Sequence, residues 1–350
     1  MSYSVSITQV SDVARPAPAR GAKTRAVFLL LLALALIAAI AAGTWVAWPR
    51  LFPGINPRLL RTLAGHSAGV NSVAFTGDGQ YLVSAADDNT VRVWNVATGE
   101  NLHTFSSQGS YLTCLASGPA GHQAATGNLA GKIMLWNLDS GQATEFHGSH
   151  EEAVSSVIFS PDGRHVASGS LDGAIKIWEA ATGELAGTIP TGQGGIVGLA
   201  YSPDGKWVAA ASSASTAKIF DAASGGQIQM LYVGTPAPGI TFSPDARVLA
   251  IGSYGETVDF WEVASGKRLR SLNGGARYIH SIAFSPDGRW LLSATHGKSV
   301  QVWEASTGRL VRTLAAHTGP VVSVAFSPDG HYFASGSSDR TINLWATNGK

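Results

Sequence analysis

Two short segments carry residue types that hydrolases and metalloenzymes use. The segment from Gly65 to Gly69 (GHSAG) fits the Gly-x-Ser-x-Gly pattern of a nucleophile elbow, whose serine lies on a strained turn between a strand and a helix. In the segment HGSH, His147 and His150 are close enough in sequence to share a metal ion. The first segment lies between two predicted strands with no helix following, and the second has no convincing third ligand. We therefore predict neither a catalytic nor a metal site.

Seven aromatic residues recur with a nearly constant spacing, and they define the elements that position these segments. The spacings are 42, 42, 42, 41, 42 and 42 residues. The residues are Trp94, Trp136, Trp178, Phe220, Trp261, Trp303 and Trp345. A Ser-Pro-Asp-Gly turn keeps the same period, as in Ser160 to Gly163, with Ser243 to Ala246 as a variant. A repeat of this length predicts seven copies of one supersecondary unit.

Each unit contains the signals of four short strands. Apolar and polar residues alternate in runs such as Val70 to Phe75, and a second type of run, such as Thr90 to Val93, precedes the tryptophan. A turn with Thr98 and Gly99 follows the first tryptophan, and a further strand begins after it. Four strands in one unit form a propeller blade. The sequence predicts an all-β, seven-bladed β-propeller over residues 58–350.

The repeat resembles the WD-repeat (WD40) family in its period, its Gly65-His66 start and endings such as Trp94-Asn95. No unit keeps the family's Trp-Asp ending, and the nearest is Phe220-Asp221. The chain ends just after Trp345 without a fourth strand for its last blade. Because residues 58–64 (RLLRTLA) closely match residues 309–315 (RLVRTLA), we predict that they complete blade seven and close the ring.

The resemblance implies hydrogen-bonded networks within three blades, each made of a histidine, a serine, an aspartate and the tryptophan. Blades one, three and seven hold these residues at the same spacing. They are His66, Ser84, Asp88 and Trp94; His150, Ser168, Asp172 and Trp178; and His317, Ser335, Asp339 and Trp345. Blades two, four, five and six lack the histidine and the aspartate, so we expect no network there. We interpret the twelve residues as structural, because buried polar groups need partners.

Residues 26–48 form a run of 23 residues without a charge. As a helix this run is roughly 35 Å long, enough to cross a hydrocarbon core of about 30 Å. We predict a transmembrane helix over residues 26–48, a basic, disordered tail over residues 1–25 and a short linker over residues 49–57. A cleaved signal peptide, with Ala39-Ile40-Ala41 as the peptidase site, is the alternative.

The basic residues around this run predict its orientation. Four basic residues precede it, and Arg50, Arg58 and Arg61 follow it. The positive-inside rule then places the N-terminus in the cytoplasm and the propeller outside the cytoplasm, in the periplasm if the cell is bacterial. A cleaved signal peptide gives the propeller the same destination.

Composition narrows the classes of partner. The formal net charge is +1 and no basic stripe is visible in the sequence, so we expect no nucleic acid partner. The charge is nevertheless uneven: residues 78–184 hold twelve acidic and four basic side chains, and residues 247–312 hold nine basic and five acidic. Cys114 is the one cysteine, which excludes an internal disulfide and a Cys-x-x-Cys motif. Its place in a predicted strand indicates a buried thiol.

The loops at one end of the channel are the expected binding surface, since the resemblance implies that the propeller recognises proteins. One loop slot, just before the network aspartate, holds different residue types in blades one, five, six and seven. Candidate partner-binding residues are Asp87, Tyr254, His296 and Ser338 in that slot, Tyr111 and Tyr278 at the start of the first strand, and Glu151 and Glu152 in blade three. Exposed aromatic side chains are suitable anchors for a partner.

The prediction for function is a membrane-anchored protein-interaction scaffold that presents a WD40 propeller to partner proteins. We expect no cofactor and no small-molecule substrate. The alternative is a periplasmic enzyme or ligand-binding sensor that uses the mouth of the central channel. A deep polar pocket with converging titratable groups would favour this alternative, and a broad apolar and aromatic face would favour the scaffold.

Overall fold

The structure is a computed structural model that describes residues 54–107, 109–276 and 278–348. Described residues form 28 strands and no helix. The first fourteen are β1 (Arg58–Ala64), β2 (Val70–Phe75), β3 (Tyr81–Ala86), β4 (Thr90–Asn95), β5 (Asn101–Ser106), β6 (Leu112–Ser117), β7 (Gln123–Asn128), β8 (Ile133–Asn137), β9 (Ala143–Glu145), β10 (Val154–Phe159), β11 (His165–Ser170), β12 (Ala174–Glu179), β13 (Leu185–Pro190) and β14 (Ile196–Tyr201). The others are β15 (Trp207–Ser212), β16 (Thr216–Asp221), β17 (Gln227–Tyr232), β18 (Gly239–Phe242), β19 (Val248–Gly252), β20 (Thr257–Glu262), β21 (Arg268–Asn273), β22 (Ile279–Phe284), β23 (Trp290–Thr295), β24 (Val300–Glu304), β25 (Arg309–Leu314), β26 (Val321–Phe326), β27 (Tyr332–Ser337) and β28 (Thr341–Ala346).

These strands form seven antiparallel sheets of four strands, which confirms the predicted seven-bladed propeller. Blade one contains β2 to β5, and each following group of four strands forms the next blade through blade six. In each of these blades the strands lie in chain order, and the first strands of neighbouring blades pack against one another around the whole ring. These first strands therefore surround the central channel, and the fourth strands lie at the rim.

Blade seven closes the ring in the way that the repeated sequence predicts. β1 pairs antiparallel with β28, with Arg61 opposite Leu344 and Ala64 opposite Thr341. This pairing gives the backbone N–H and C=O groups of β28 hydrogen-bond partners, and without it β28 would be an open edge of the sheet. Just before β1, Ile55 is buried in the core between blades six and seven, and Asn56 bridges to Asn348.

The turns explain why each unit folds back on itself. In the first Ser-Pro-Asp-Gly turn, Ser160 Oγ donates to Asp162 Oδ1 at 2.6 Å, and Gly163 N–H donates to the Ser160 carbonyl at 2.9 Å. Gly163 has a φ of +71°, which costs a glycine little. The variant turn places Ala246 at a φ of +59°, a strained conformation for a residue with a Cβ atom.

The apolar core is divided among the seven blade interfaces. Seven clusters of buried side chains each join two neighbouring sheets. Serines of the first strands also link blades: Val73 N–H donates to Ser323 Oγ at 3.1 Å, and Leu199 N–H donates to Ser156 Oγ at 3.2 Å. Because each blade depends on its neighbours for burial, the ring is stabilised as a unit.

The predicted segments before the propeller lie largely outside the described residues. The predicted tail (1–25), the predicted membrane helix (26–48) and the first five residues of the predicted linker (49–57) fall in that part of the chain. In the residues that the structure does describe, no helix is long and apolar enough to cross a membrane.

Candidate functional site

The network of blade one consists of side chains from a loop, two strands and a turn. His66 lies between β1 and β2, Ser84 on β3, Asp88 in the turn before β4, and Trp94 on β4. Trp94 Nε1 donates to Ser84 Oγ at 2.9 Å. His66 Nε2 lies 2.7 Å from Ser84 Oγ, and its Nδ1 lies 3.0 Å from Asp88 Oδ2. With a neutral imidazole, every proton along this chain of four side chains has an acceptor.

Blades three and seven bring together the corresponding four side chains. The histidine Nε2 lies 2.8 Å from Ser168 Oγ in blade three and 2.9 Å from Ser335 Oγ in blade seven. The remaining contacts are His150 to Asp172 at 2.8 Å, Trp178 to Ser168 at 2.8 Å, His317 to Asp339 at 3.0 Å and Trp345 to Ser335 at 3.1 Å. The aspartates also accept backbone N–H groups from the loop that carries the histidine. Each network therefore joins that loop to the blade interior.

Burial favours the neutral imidazole in blades one and three, and hydrogen bonds favour the ionised aspartate in all three networks. Burial lowers the pKa of His66 and of His150, although their aspartates act in the opposite direction. Burial raises the pKa of Asp339, but hydrogen bonds from Thr341 and the Thr318 N–H, with the charge of His317, outweigh it and bring the pKa to about 2. All polar atoms of the histidine and serine side chains are used inside the blade, so these side chains have little capacity left to bind a ligand.

Blades two and six, for which no network of four residues was expected, contain one hydrogen bond of the same kind. Trp136 Nε1 donates to Thr126 Oγ1 at 2.9 Å in blade two, and Trp303 Nε1 donates to Ser293 Oγ at 3.0 Å in blade six. The hydroxyl lies ten residues before the tryptophan in both, as in the complete networks. Neither blade has the histidine or the aspartate of the complete set. In blade five the same slot holds the buried Ile251, and no hydrogen-bond partner reaches Nε1 of its tryptophan in the described structure.

The candidate partner-binding residues of blades five and six, Tyr254, Tyr278 and His296, form one group of touching rings with His280, and we call this group the Tyr-His cluster. The ring centroids of Tyr254 and Tyr278 lie 5.4 Å apart in an edge-to-face arrangement. His280 lies 5.8 Å from the Tyr254 ring, and His296 lies 5.6 Å from the Tyr278 ring. The His280 Nε2 and His296 Nδ1 atoms are 3.4 Å apart.

The Tyr-His cluster is partly open to solvent. Tyr254 is 37% exposed and Tyr278 is 46% exposed. Tyr278 has a φ of +52°, a conformation that costs a bulky residue of order 1 kcal/mol or more. Burial, followed by the neighbouring charge of His296, lowers the pKa of His280, and burial raises the pKa of Tyr254. The cluster thus presents exposed aromatic surface, and its imidazoles are not bound into a blade network.

His280 is the member of this cluster that the sequence analysis missed. It directly follows Ile279, the buried first residue of β22. The same slot of blade one holds Asn71, whose amide donates to Asp87 Oδ1 at 2.7 Å and to a carbonyl of the next blade. A polar residue at this second position of a first strand is therefore a signal for a side chain that faces the loop surface.

The other candidate residues lie elsewhere on the loop surface. Tyr111 and Asp87 line an open cavity of about 540 Å³ together with Ala68, Thr113 and Leu129. Tyr111 and Leu129 are exposed by 53% and 52%, so this region is apolar beside a single carboxylate.

The remaining three candidate residues lie in blades three and seven. Glu151 and Glu152 are exposed, and the Glu151 N–H donates to the network aspartate of its blade. Ser338 is exposed and lies against Gly69 of blade one, where Asp87 also lies.

The segments with enzyme-like residue types take part in other interactions. Ser67 lies in the loop between β1 and β2, and its N–H donates to Asp88 at 2.9 Å. His147 Nδ1 lies 3.0 Å from Glu184, whereas His150 belongs to its blade network. Within residues 54–107, 109–276 and 278–348, no three His, Cys, Asp or Glu side chains converge to hold a metal ion. Cys114 is buried, and burial raises its pKa to about 11.

Two protein-family models match most of the propeller. The family model described as "IFT122 first beta-propeller" matches residues 50–283, and the model "WD domain, G-beta repeat" matches residues 266–304 and 308–346. The first of these covers well over half of the chain.

Curated proteins match short stretches only. Nuclear distribution protein nudF of Aspergillus niger is 40% identical over 63 residues, which is 18% of this chain and 14% of that protein. U3 small nucleolar RNA-associated protein 15 homolog of Xenopus tropicalis is 33% identical over 75 residues, 21% of this chain and 15% of that protein. Cell division control protein 4 of Saccharomyces cerevisiae is 38% identical over 66 residues, 19% of this chain and 8% of that protein.

The matched stretches therefore represent a small part of each relative, one or two blades of the repeat, and they show a shared repeat and not a shared activity. The family model, the 42-residue period and the seven four-stranded sheets agree with one another. The chain belongs to the β-propeller family that the IFT122 first-propeller model describes, and it contains WD40 repeats.

Proposed function

We propose that the protein is a membrane-anchored scaffold whose propeller binds a partner protein through the loop surface of blades five and six. The observation that carries this proposal is the Tyr-His cluster, in which four rings touch and two tyrosines are exposed. Tyrosine is enriched at the energetic centres of interfaces because it combines a large apolar area with a hydroxyl group. WD40 propellers commonly bind protein partners, in agreement with this role.

Exposed apolar residues in the loops of blades two and three would extend the contact surface around the channel mouth. Tyr111, Leu129 and Leu171 are exposed by 53, 52 and 43% on blades two and three. Loops of neighbouring blades present these side chains on the same rigid ring, which reduces the entropy lost on binding. The anchor is residues 26–48, whose uncharged length is the support for membrane attachment.

Site-specific photo-crosslinking in cells tests the proposal. A photoreactive phenylalanine replaces Tyr278 in one variant and Tyr232 in a control variant, because Tyr232 is 72% exposed but lies on the outer strand β17. We expect a discrete adduct of defined mass from position 278 and none from position 232. The adduct at position 278 should be lost in a His296→Ala background. Equal labelling from both positions, or no adduct at position 278, would contradict the proposed binding surface.

A further inference from the structure

Six arginines lie on the rim strands of three consecutive blades. The strands are β21 of blade five, β25 of blade six and β1 of blade seven, each the outermost strand of its sheet. The residues are Arg268, Arg270, Arg309, Arg312, Arg58 and Arg61, which we call the arginine arc. None of these three strands contains an aspartate or a glutamate, and four or more positions of each strand are at least partly exposed.

The rim strands of the other four blades differ in charge. β5, β9, β13 and β17 contain no lysine and no arginine. Their one acidic residue, Glu145, pairs with Lys132 at 2.8 Å. The positive charge of the rim strands is therefore confined to one arc. The sequence shows no basic stripe because the six arginines come from both ends of the propeller, and only ring closure brings β1 beside blade six.

Within the described part of the chain, most of the arc's charge has no close acidic partner. Arg309 Nε lies 3.6 Å from Glu304, and an Arg268 nitrogen lies 3.7 Å from Asp259. Arg270 donates to the Ser306 carbonyl, and Arg312 donates to the Val311 carbonyl, so these two contacts leave the charge in place. A guanidinium has five N–H donors, so several remain free on every one of these side chains.

Chain connectivity points to the occupant of this surface. β1 carries Arg58 and Arg61 and is the first strand after the apolar run that ends at Trp48. Ile55 is buried in the propeller core. Seven residue steps join Trp48 to Ile55, and an extended chain of that length spans at most about 25 Å. With residues 26–48 in a bilayer, as the proposed function requires, this tether holds Ile55 within about 25 Å of the end of the apolar run.

We propose that the arginine arc docks the propeller rim on anionic phospholipid headgroups of the membrane that holds its own anchor. Guanidinium groups bind phosphate oxygens with paired hydrogen bonds, and an anionic surface attracts clustered basic side chains. Leu59 and Leu269 lie between the arginines and are 38% and 45% exposed, which adds apolar surface for the headgroup boundary. This inference rests on the membrane anchor of the proposed function, but not on its partner surface.

The test uses the full chain in vesicles of phosphatidylcholine alone or with phosphatidylglycerol. A fluorophore on Ser271→Cys reports the position of β21, because Ser271 is exposed, and the buried Cys114, with its pKa of about 11, escapes labelling. We expect a quencher on the lipid headgroups to reduce the emission several-fold more in vesicles with phosphatidylglycerol. The difference should disappear at about 1 M salt, where the screening length is about 3 Å. The same fluorophore on Thr104→Cys, at the corresponding position of β5, should show no such difference.

Two matched double variants distinguish an effect of the arginine arc from an effect of the overall positive charge. Arg309→Gln with Arg312→Gln should abolish the lipid-dependent quenching. Arg164→Gln with Lys206→Gln removes the same charge from exposed turns of blades three and four and should leave it unchanged. Equal quenching in both lipids, or an effect in both double variants, would overturn the proposal. So would binding of a soluble nucleic acid to the arc with no response to phosphatidylglycerol.

A separate measurement shows whether the chain has a membrane-spanning anchor at all. A chain that is washed from both kinds of vesicle by alkaline carbonate has no membrane-spanning anchor, which contradicts that part of the proposed function. The arc is then tested by sedimentation of the same chain with the two kinds of vesicle before the wash. Sedimentation that depends on phosphatidylglycerol and on Arg309 and Arg312 would uphold the arc, and equal sedimentation would overturn it.

Discussion

The histidines of this propeller lie in two different environments. In blades one, three and seven the histidine is buried, and each ring nitrogen has a partner within the blade. At the junction of blades five and six, His280 and His296 lie at the loop surface, where they touch each other and two tyrosines. Burial and the number of internal hydrogen-bond partners therefore distinguish the two sets of histidines, whereas residue type does not.

The largest expected effect is on the structural side of this comparison. His317→Ala leaves Ser335 and Asp339 without their shared partner in a site that is nearly closed to water. A buried hydroxyl that loses its acceptor and a carboxylate that loses a hydrogen bond together cost about 3 kcal/mol of unfolding free energy. We expect a fall in melting temperature of roughly 6 °C or more, measured by calorimetry or circular dichroism.

The control for this change is His122→Ala, because the His122 side chain is 70% exposed and pairs with an equally exposed aspartate. An exposed pair contributes about 0 to 1 kcal/mol. Similar melting temperatures for the two variants would show that the blade-seven network does not stabilise the ring closure. Blade seven is the informative blade, because its network lies beside the pairing of β1 with β28 that joins the chain ends.

The ring and its closure could be predicted from the sequence, whereas the surface site could be predicted only in part. The tryptophan period predicts the number of blades, because the same pattern recurs in each repeat. The match between residues 58–64 and 309–315 predicts that β1 is the partner of β28. Tyr254, Tyr278 and His296 were selected by their slots. His280 was missed because its role depends on a contact across two strands.

Partial networks and the arginine arc show the same limit. Thr126 and Ser293 bond the tryptophan without any histidine, so a search for complete sets of four passes over them. Arg58 and Arg309 are 251 positions apart in the sequence, and they share a rim only because the ring closes. Patterns within one repeat are visible in the sequence, while groupings made by the ring are not.

A smaller effect is expected when the buried histidines become protonated. An unfolded histidine has a pKa of about 6.5, and burial lowers the pKa of His66 and His150 in the fold. Between these values the unfolded chain binds protons that the folded chain does not. The stabilisation is therefore complete above about pH 6.5 and decreases as the pH falls below it.

The aspartates act in a lower pH range. Asp339 has a folded pKa of about 2, against about 3.9 in an unfolded chain. Its stabilisation is complete above about pH 4 and is lost as the pH falls towards 2. Urea unfolding at a series of pH values measures both ranges. His280→Gln removes the surface histidine with a lowered pKa, and the decline below pH 6.5 should persist in that variant. Loss of the decline would assign it to the Tyr-His cluster.

The smallest effect on stability is expected at Tyr278, where the largest effect on binding is predicted. Its φ of +52° is strained for tyrosine and suits glycine, while its ring contacts stabilise the fold by about 1 kcal/mol. Tyr278→Gly removes both terms, so its unfolding free energy should stay within about 0.5 kcal/mol of the wild type. Tyr278→Ala keeps the strain and loses the contacts, and should be less stable by about 1 kcal/mol.

Both variants should lose the partner contact, which can be followed by placing the photoreactive residue at Tyr254 instead. A loss of crosslinking in Tyr278→Gly at unchanged stability would separate binding from folding at this position. Retained crosslinking in both variants would show that the ring of Tyr278 packs against its neighbours without serving a partner. Glycine would fit the backbone conformation at this surface position better than the strained Tyr278 does, so the fold alone does not require a tyrosine there. The paired glycine and alanine variants measure how much the strain of Tyr278 contributes to the free energy of unfolding.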